Sequence, residues 1–212
     1  MKLLVGVPSL DFVHVEFVKS LVALQARLQA DGIRHDVWIC SGTLAHVARD
    51  KVACKAINEG YTHVLWLDAD MVFTPDILDD LSFCGKPFVT GLAANRRPPF
   101  VLCVFKELTC PYQKFQLSEV GSEPFRIAGC GFACVLIKTD ILKAVQLQYG
   151  TCFLPEMTLG EDLAFCQRAA SLGYEIWCDP SVRVGHIGHN AIWPDDVERL
   201  TADLKAKGGS GS

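Results

Sequence analysis

The sequence predicts an α/β protein with a mostly parallel, doubly wound sheet flanked by helices. Apolar strand-like runs alternate with segments whose apolar residues recur at helical spacing, which is typical of such sheets. The chain has 212 residues, of which 50% are hydrophobic and 21% charged, enough for one sizeable core. Two carboxylates follow the apolar run in "VLWLDADMVF", residues 64–73. Since parallel sheets bind ligands at the carboxyl ends of their strands, we expect a site there.

The first half of the chain alternates strand and helix in order. Strands are predicted in "KLLVGV", "HDVWIC", "THVLWLD" and "KPFVTG", and helices over about 12–30, over 41–60 and from Thr74-Pro75 onward. The first helix is indicated by Phe17, Leu21, Leu24 and Leu28, which share one face. The third is indicated by Thr74 as a cap and Pro75 at the first helical position.

The second half is less regular. Residues 95–126 suggest loops and edge strands, followed by a strand in "FACVLIK", helices in "TDILKAVQ" and "GEDLAFCQRAASLG", and a strand in "YEIWCDP" with a turn in "VRVGHIGH". Because no repeat or low-complexity linker interrupts this pattern, we predict a single domain over 1–207. The Gly/Ser tail 208–212 is interpreted as an added linker.

The net charge and the cysteines indicate which ligands and which cellular compartment to expect. The net charge is −4 and the sequence pI is about 5.8, so no strongly basic surface for long nucleic acid is expected. Ten cysteines are scattered without a C-x-x-C pair, which indicates reduced thiols in a cytoplasmic protein. The first apolar run is too short for a signal peptide, and no stretch reaches membrane-spanning length.

Asp68 and Asp70 are the strongest chemical signal. Two carboxylates at the end of a buried strand repel each other, and a divalent cation would cancel that repulsion. Oxygen ligands suit Mg²⁺ or Mn²⁺, which complete their coordination with substrate phosphates. In the alternative interpretation, Asp70 caps a turn and Asp68 is solvated.

Several segments, taken in order, resemble GT-A glycosyltransferases, enzymes that use nucleotide-sugar donors. These segments are "VGVPSLD", "AHVARDKVACKAI", "LWLDADMVFTPDIL", "IAGCGFACVLIKTDIL" and "GEDLAFCQRAASLGYEIWCDPSVRVGHIGH". The second resembles the family's "ARN" helix, with Asp50 in place of the more usual Asn. The set is most similar to compact bacterial or phage-type enzymes of the family-two group. "PSVRVGH" is also similar to polypeptide N-acetylgalactosaminyltransferases, so an inverting and a retaining outcome both stay open, with inversion favoured.

The resemblance implies a metal site and a donor site. The metal ligands would be Asp68, Asp70 and His186, with His189 as the rival histidine, and an imidazole suits Mn²⁺ better than Mg²⁺. Asp70 would bind the metal directly, and Asp68 would contact the ribose or reach the metal through water. The donor would contact Pro8, Ser9, Asp11, Arg49, Asp68, Ala69, Asp70 and Arg96. A zinc-hydrolase site at the two histidines lacks the H-E-x-x-H helix.

The resemblance also implies a catalytic pair at a helix start, Glu161 and Asp162. Asp162 would be the general base that takes the proton of an acceptor hydroxyl. In the alternative, both acids only stabilise the helix N-terminus. A retaining enzyme would not require this base.

The predicted function is that of a metal-dependent glycosyltransferase with a nucleotide-diphosphate sugar donor, UDP-sugar being implied by the resemblance. A glycan, a protein, a small molecule or a modified base all fit as the acceptor. A nucleotidyltransferase is an alternative, but its basic, Gly-rich first loop is replaced by "PSLDFVHVE". A non-catalytic nucleotide-sugar or carbohydrate-binding domain is another, although it would need no metal and base together.

Overall fold

The structure is a computed structural model that describes residues 1–188 and 191–208. The strands are, in chain order, β1 (Lys2–Pro8), β2 (Arg34–Cys40), β3 (His63–Leu67), β4 (Met71–Val72), β5 (Phe88–Leu92), β6 (Val104–Glu107), β7 (Gln113–Lys114), β8 (Phe125–Ile127), β9 (Gly129–Cys130), β10 (Cys134–Lys138), β11 (Ile176–Arg183), β12 (Gly185–Ile187) and β13 (Ala191–Ile192). The helices are α1 (Val15–Ala30), α2 (Ala45–Asn58), α3 (Ile77–Phe83), α4 (Thr139–Tyr149), α5 (Glu161–Ser171) and α6 (Asp196–Gly208).

A seven-stranded sheet with the order β2-β1-β3-β10-β5-β11-β8 forms the centre of the described chain. β1, β2, β3, β5 and β11 run in one direction, while β10 and β8 run against them. Buried side chains of α1 and α3 pack on one face, and those of α2, α4 and α5 pack on the other. The predicted α/β class, a mostly parallel sheet flanked by helices, is confirmed.

The first strands and helices follow the predicted pattern closely. β1 is buried along almost its whole length, as expected of a strand covered on both faces. The predicted apolar face of α1, formed by Phe17, Leu21, Leu24 and Leu28, is its buried face. Pro8 ends β1 at the edge of the sheet where β2 and β3 also end, so the loops after these strands converge.

Two boundary predictions were wrong. Met71–Val72 forms the short strand β4, and α3 begins at Ile77, not at Thr74-Pro75, because residues 75 and 76 form a turn that the Ile77 N–H closes on the Thr74 carbonyl at 3.3 Å. "VRVGHIGH" is not simply a turn, because β11 continues to Arg183 and Gly185–Ile187 forms β12. β12 pairs antiparallel with β4, so each segment's conformation depends on a partner more than 100 residues away. Local periodicity does not detect such a pairing.

β10 enters the sheet between β3 and β5 and pairs antiparallel with both. Leu136 lies opposite Leu65 on β3 and opposite Val89 on β5. This insertion brings the Gly-rich segment before β10 to the end of β3, where the Asp68 N–H donates to the Ala133 carbonyl at 3.3 Å. The backbone of the D-x-D segment is therefore held in place partly by residues from the second half of the chain.

All ten cysteines fall within the described residues, and each is a free thiol. None of the helices in residues 1–188 and 191–208 has the length and apolar character needed to cross a membrane. Cytoplasmic location and the single domain over 1–207 stay predictions. Gly208 ends α6, while the other residues of the predicted linker lie outside the described part of the chain.

Asp50, the departure from the family's usual Asn, ties α2 to the segment after α4. Its Oδ1 accepts hydrogen bonds from the Cys152 and Phe153 backbone N–H groups at 2.9 and 3.0 Å. Its Oδ2 accepts a hydrogen bond from Thr151 Oγ1 at 2.7 Å. One oxygen thus serves both backbone donors, and an Asn carbonyl can do the same.

We therefore expect Asp50→Ala to destabilise the protein and Asp50→Asn to leave it nearly unchanged. The alanine variant leaves two buried N–H groups unpaired, at a cost of about 1–3 kcal/mol each. In a chain of this size, about 2 to 4 °C of Tm is lost per kcal/mol, so the two groups together lower Tm by roughly 4–24 °C. Thermal denaturation of both variants checks this, and equal shifts for Ala and Asn would contradict it.

Candidate active site

A cleft of about 470 Å³ opens at the carboxyl ends of the parallel strands. Its lining comprises Pro8, Ser9, Leu10, Asp11, Phe12, His14, Ala45, Arg49, Asp68, Ala69, Asp70, Arg96, Glu161 and Asp162. Every residue predicted to contact the donor lies on this cleft, and both predicted catalytic acids lie there too. The structure thus brings these residues together, while their roles remain predictions.

The backbone of the D-x-D segment is held from three sides. Asp68 N–H donates to Ala133, the Ala69 carbonyl accepts from His14 N–H at 3.1 Å, and the Asp70 carbonyl accepts from Ile187 N–H at 2.8 Å. The three partners come from the Gly-rich segment, the loop after β1 and β12. Because its backbone is fixed in this way, the segment presents its two carboxylates to the cleft in a defined orientation.

The loop after β1 forms one wall of the cleft. Ser9 N–H donates to the Cys40 carbonyl at 3.0 Å, and Ser9 Oγ donates to the Phe12 carbonyl at 2.8 Å. The Phe12 side chain is 73% exposed, and its ring meets the His14 ring edge-on at 5.9 Å. An exposed ring beside a cleft offers a stacking face for a planar ligand.

Leu10, Phe12, His14 and Ala45 are cleft residues that sequence reasoning missed. The available signal was the apolar pair Leu10 and Phe12 within a loop next to Asp11, since large apolar side chains are unusual in a short polar connection.

One carboxylate oxygen of Asp70 contacts two side chains, those of Arg96 and His186. Arg96 Nη1 donates to Asp70 Oδ2, and His186 Nε2 lies 3.3 Å from the same oxygen. Partial burial works against the charged carboxylate. Even so, the pKa of Asp70 is lowered from its ordinary value by His186 and Arg96. Asp70 is therefore an anion, available to a cation.

Asp70 and His186 have the donor chemistry of a divalent metal site. His186 Nδ1 donates to the Ala94 carbonyl at 2.9 Å, so a cation that displaces the Nε2 proton would find the lone pair of that nitrogen beside Asp70. An imidazole nitrogen and a carboxylate oxygen suit Mn²⁺. These residues fit a cation whose remaining ligands come from a substrate diphosphate and water.

The three predicted metal ligands, Asp68, Asp70 and His186, do not converge on a common position for a metal ion. Among residues 1–188 and 191–208, no three His, Cys, Asp or Glu side chains are grouped closely enough to hold a metal ion. Asp68 is instead engaged with Arg49, so Asp70 and His186 form a pair rather than a triad. His189, the rival ligand, lies outside the described residues.

Because Arg96 and a metal ion compete for Asp70 Oδ2, we expect Arg96→Ala to bind Mn²⁺ more tightly than the unmodified protein. The Arg96 side chain is 42% exposed, and an ion pair of this kind is worth a gain of about two- to fivefold. Mn²⁺ titration followed by electron paramagnetic resonance measures it. Arg97→Ala removes the same charge from the neighbouring exposed position and serves as the control. Weaker Mn²⁺ binding in Arg96→Ala alone would contradict this competition.

Asp68 belongs to a separate group of charges around Arg49. Arg49 Nη2 donates to Asp68 Oδ1 at 2.8 Å, and Arg49 Nε lies 3.5 Å from Glu161 Oε1. Burial works against the charge on Arg49, but Asp68, Glu161 and Asp162 raise its pKa above the ordinary value. Burial also raises the pKa of Asp68, and Arg49 opposes that rise.

Asp162 has the ionisation behaviour of a general base. Burial raises its pKa to about 6, Arg49 opposes the rise, and Glu161 and Asp68 add to it. Burial raises the pKa of the Cys103 thiol, and the Asp162 carboxylate adds to that rise. A carboxyl with a pKa near 6 is ionised at neutral pH and is more basic than an ordinary aspartate.

The helix-capping alternative accounts for only part of this arrangement. The N-cap position of α5 is Gly160, so neither acid is the capping residue. Asp162 Oδ1 does accept the Leu163 N–H at 2.8 Å. The helix N-terminus therefore stabilises the carboxylate, which leaves its other oxygen available for a different partner.

No protein-family model matches the chain, and no curated protein matches it. Among solved structures, A197 from STIV superposes with a TM-score of 0.63 over 92% of this chain and 91% of that one, at 19% identity. A mutant of the Drosophila β-1,4-galactosyltransferase 7, in complex with manganese, UDP-Gal and xylobiose, gives a TM-score of 0.48 at 11% identity, covering 86% of this chain and 66% of that one. A glycosyltransferase involved in the glycosylation of the major capsid of PBCV-1 gives a TM-score of 0.34 at 14% identity, covering 68% of this chain and 65% of that one.

These similarities bear on the fold alone. The match to A197 extends over nearly all of both chains, whereas the other two fall below a TM-score of 0.5 and carry no weight here. The sheet order, the D-x-D segment after β3 and the cleft at the strand ends agree with the predicted architecture. The chain has the α/β fold that the sequence predicted, a mostly parallel sheet flanked by helices, and its likeness to A197 extends over nearly all of both chains.

Proposed function

We propose that this protein is a metal-dependent glycosyltransferase that moves a sugar from a nucleotide-diphosphate donor, in the first instance a UDP-sugar, to an acceptor hydroxyl. One observation carries the proposal. A single cleft holds the Asp70 carboxylate, paired with His186, and the Asp162 carboxyl, whose pKa is raised. A site for a cation and a site for a base are what this transfer requires.

Each residue has a defined task in the proposed reaction. Asp70 and His186 would hold Mn²⁺, which when bound stabilises the charge on the departing diphosphate. Asp162 would take the proton of the acceptor hydroxyl as its oxygen attacks the anomeric carbon. The loop after β1, with the exposed Phe12 ring, would receive the nucleoside. A single displacement of this kind inverts the anomeric centre.

The charges that line the cleft favour binding of an anionic donor only when a cation is also bound. Five carboxylates, those of Asp11, Asp68, Asp70, Glu161 and Asp162, line the cleft together with two arginines, Arg49 and Arg96. A diphosphate entering this excess of negative charge meets net repulsion at short range. A divalent cation at Asp70 reverses that balance, which explains why metal and donor are expected to bind together.

Donor hydrolysis with and without Mn²⁺ tests the proposal. The protein is incubated with a panel of nucleotide-diphosphate sugars, and the released nucleotide is measured with Mn²⁺, with Mg²⁺ and with a chelator. A mass-spectrometric screen of the same donors against candidate acceptors then identifies the transferred sugar. Metal-dependent release from at least one donor is the expected result. Donor binding without turnover for every donor and acceptor pair would favour the non-catalytic binding domain.

A further inference from the structure

Arg49 connects the two parts of the cleft that come from distant segments of the chain. It lies in the first turns of α2, with only 4% of its side chain exposed. Its guanidinium contacts Asp68 at the end of β3 and Glu161 at the start of α5, at 2.8 and 3.5 Å. A single buried cation thus joins the D-x-D segment to the helix that carries the predicted base.

The guanidinium is poorly accessible to a ligand, because only 4% of the Arg49 side chain is exposed. Nη2 is used by Asp68, while Nε and Nη1 are covered by protein and have no hydrogen-bond partner. The guanidinium carbon lies 5.2 Å from the centre of the Phe132 ring and 6.0 Å from that of Trp66. Aromatic faces at these distances stabilise a buried cation. Arg49 is therefore held between aromatic rings and carboxylates.

The charges explain why a buried arginine is required there. Asp68, Glu161 and Asp162 each act on Arg49 electrostatically, and the first two also lie in contact with it. Coulomb repulsion between carboxylates is strong where solvent screening is reduced. Without Arg49, that repulsion would separate the end of β3 from the start of α5, and with them the metal-binding segment from Asp162.

We infer that Arg49 is a positioning residue that acts through Asp68 and Glu161, and that it does not recognise the nucleotide by direct contact. This role rests on the proposed function and replaces the donor contact that the family resemblance implied. Arg49 fixes the distance between the donor side of the cleft and the base. Its loss therefore lowers turnover more than it lowers affinity for the nucleotide.

A double-mutant cycle on stability tests the coupling without any need for activity. We expect Arg49→Met to lower Tm by about 10 °C, because it strands buried carboxylates. Glu161→Gln in that background restores part of the loss, since one stranded charge is removed. The surface pair Arg126 and Glu175, 3.3 Å apart, is the matched control, and the same substitutions there give small, additive shifts. Additive shifts for Arg49 and Glu161 would overturn the inference.

Kinetic measurements distinguish a positioning role from a purely structural one, because only a positioning residue lowers kcat while leaving UDP affinity nearly unchanged. With metal and donor, Arg49→Met is expected to lower kcat by about a hundredfold, the cost of a small misplacement of reacting groups. Affinity for UDP, measured by calorimetry with Mn²⁺, changes by less than about threefold. Arg49→Lys keeps the charge and recovers part of kcat, and it also takes the place of the methionine variant in both experiments if that variant does not fold. An unchanged kcat with strongly weakened UDP binding would show that Arg49 is a nucleotide ligand.

The two experiments separate this inference from the proposed function. If the unmodified protein turns over no donor, the proposed function fails, and the stability cycle still decides whether Arg49 couples the two segments. If turnover is present and the cycle is additive, the function stands and the positioning role of Arg49 fails.

Discussion

Asp70→Ala is expected to abolish sugar transfer and to weaken Mn²⁺-dependent binding of UDP by at least about tenfold. Asp70 supplies the carboxylate of the proposed metal pair, and His186 alone is a single ligand. The substitution also leaves Arg96 without its carboxylate partner, so the whole group at this end of the cleft is disturbed. No other predicted change removes both the cation and the charge balance that a diphosphate requires.

Calorimetry of UDP binding with Mn²⁺ and then with a chelator measures this effect. The unmodified protein should bind more tightly with Mn²⁺, and the difference should vanish in Asp70→Ala. Asp140→Ala, at an exposed position in the first turn of α4, removes an equal charge away from the cleft and controls for net charge. Equal affinity of the unmodified protein with metal and with chelator would rule out the metal site.

Asp162→Asn is expected to lower the rate of sugar transfer by a factor of about a hundred or more, the contribution of a positioned general base. The variant keeps the size of the side chain and an oxygen that accepts the Leu163 N–H. Fold, metal binding and UDP affinity should therefore be retained. If the acid only stabilised the helix start, Asn would serve about as well, and transfer would hardly change.

The anomeric configuration of the product gives an independent check by NMR. A base-assisted single displacement inverts the anomeric centre. A retained configuration would remove the general-base role from Asp162, as would near-normal transfer by the asparagine variant.

The pH dependence of transfer should reflect the raised pKa of Asp162. Activity requires the ionised form, so it should fall as pH drops through about 6, and this acid limb should be absent from the residual activity of Asp162→Asn. Stability depends on pH in the opposite direction to activity. Because the pKa of Asp162 is higher in the folded state than its ordinary value, protonation at low pH stabilises the fold, and that contribution is lost as pH rises through about 6. The loss of activity near pH 6 is therefore not unfolding caused by this group.

The position of the cleft was predictable because it follows from local sequence. An apolar strand followed by Asp68 and Asp70, and a helix that starts with Glu161 and Asp162, place acidic groups at ends of elements. In a parallel α/β sheet such ends meet at one edge. The structure places all four on one cleft for this reason.

The contacts between these groups were not predictable from spacing alone. Arg49 reaches Asp68 and Glu161 only because α2 and α5 pack on the same face of the sheet. Likewise, Asp70 meets His186 because β4 pairs with β12, and each of those strands is only two or three residues long. Short pairings and side-chain ion pairs depend on tertiary packing, which leaves no periodic pattern in the sequence.

The antiparallel strand β10 has a consequence for folding during synthesis. β10 lies between β3 and β5, so a nascent chain that ends before residue 134 has no strand to join them. Both strands then present open edges, which are sites of aberrant pairing. The D-x-D segment leaves the ribosome early, yet its partner Ala133 follows only at the entry to β10. The cleft can therefore form only after most of the chain has been translated, and until then the emerging half-sheet carries the unpaired edges of β3 and β5.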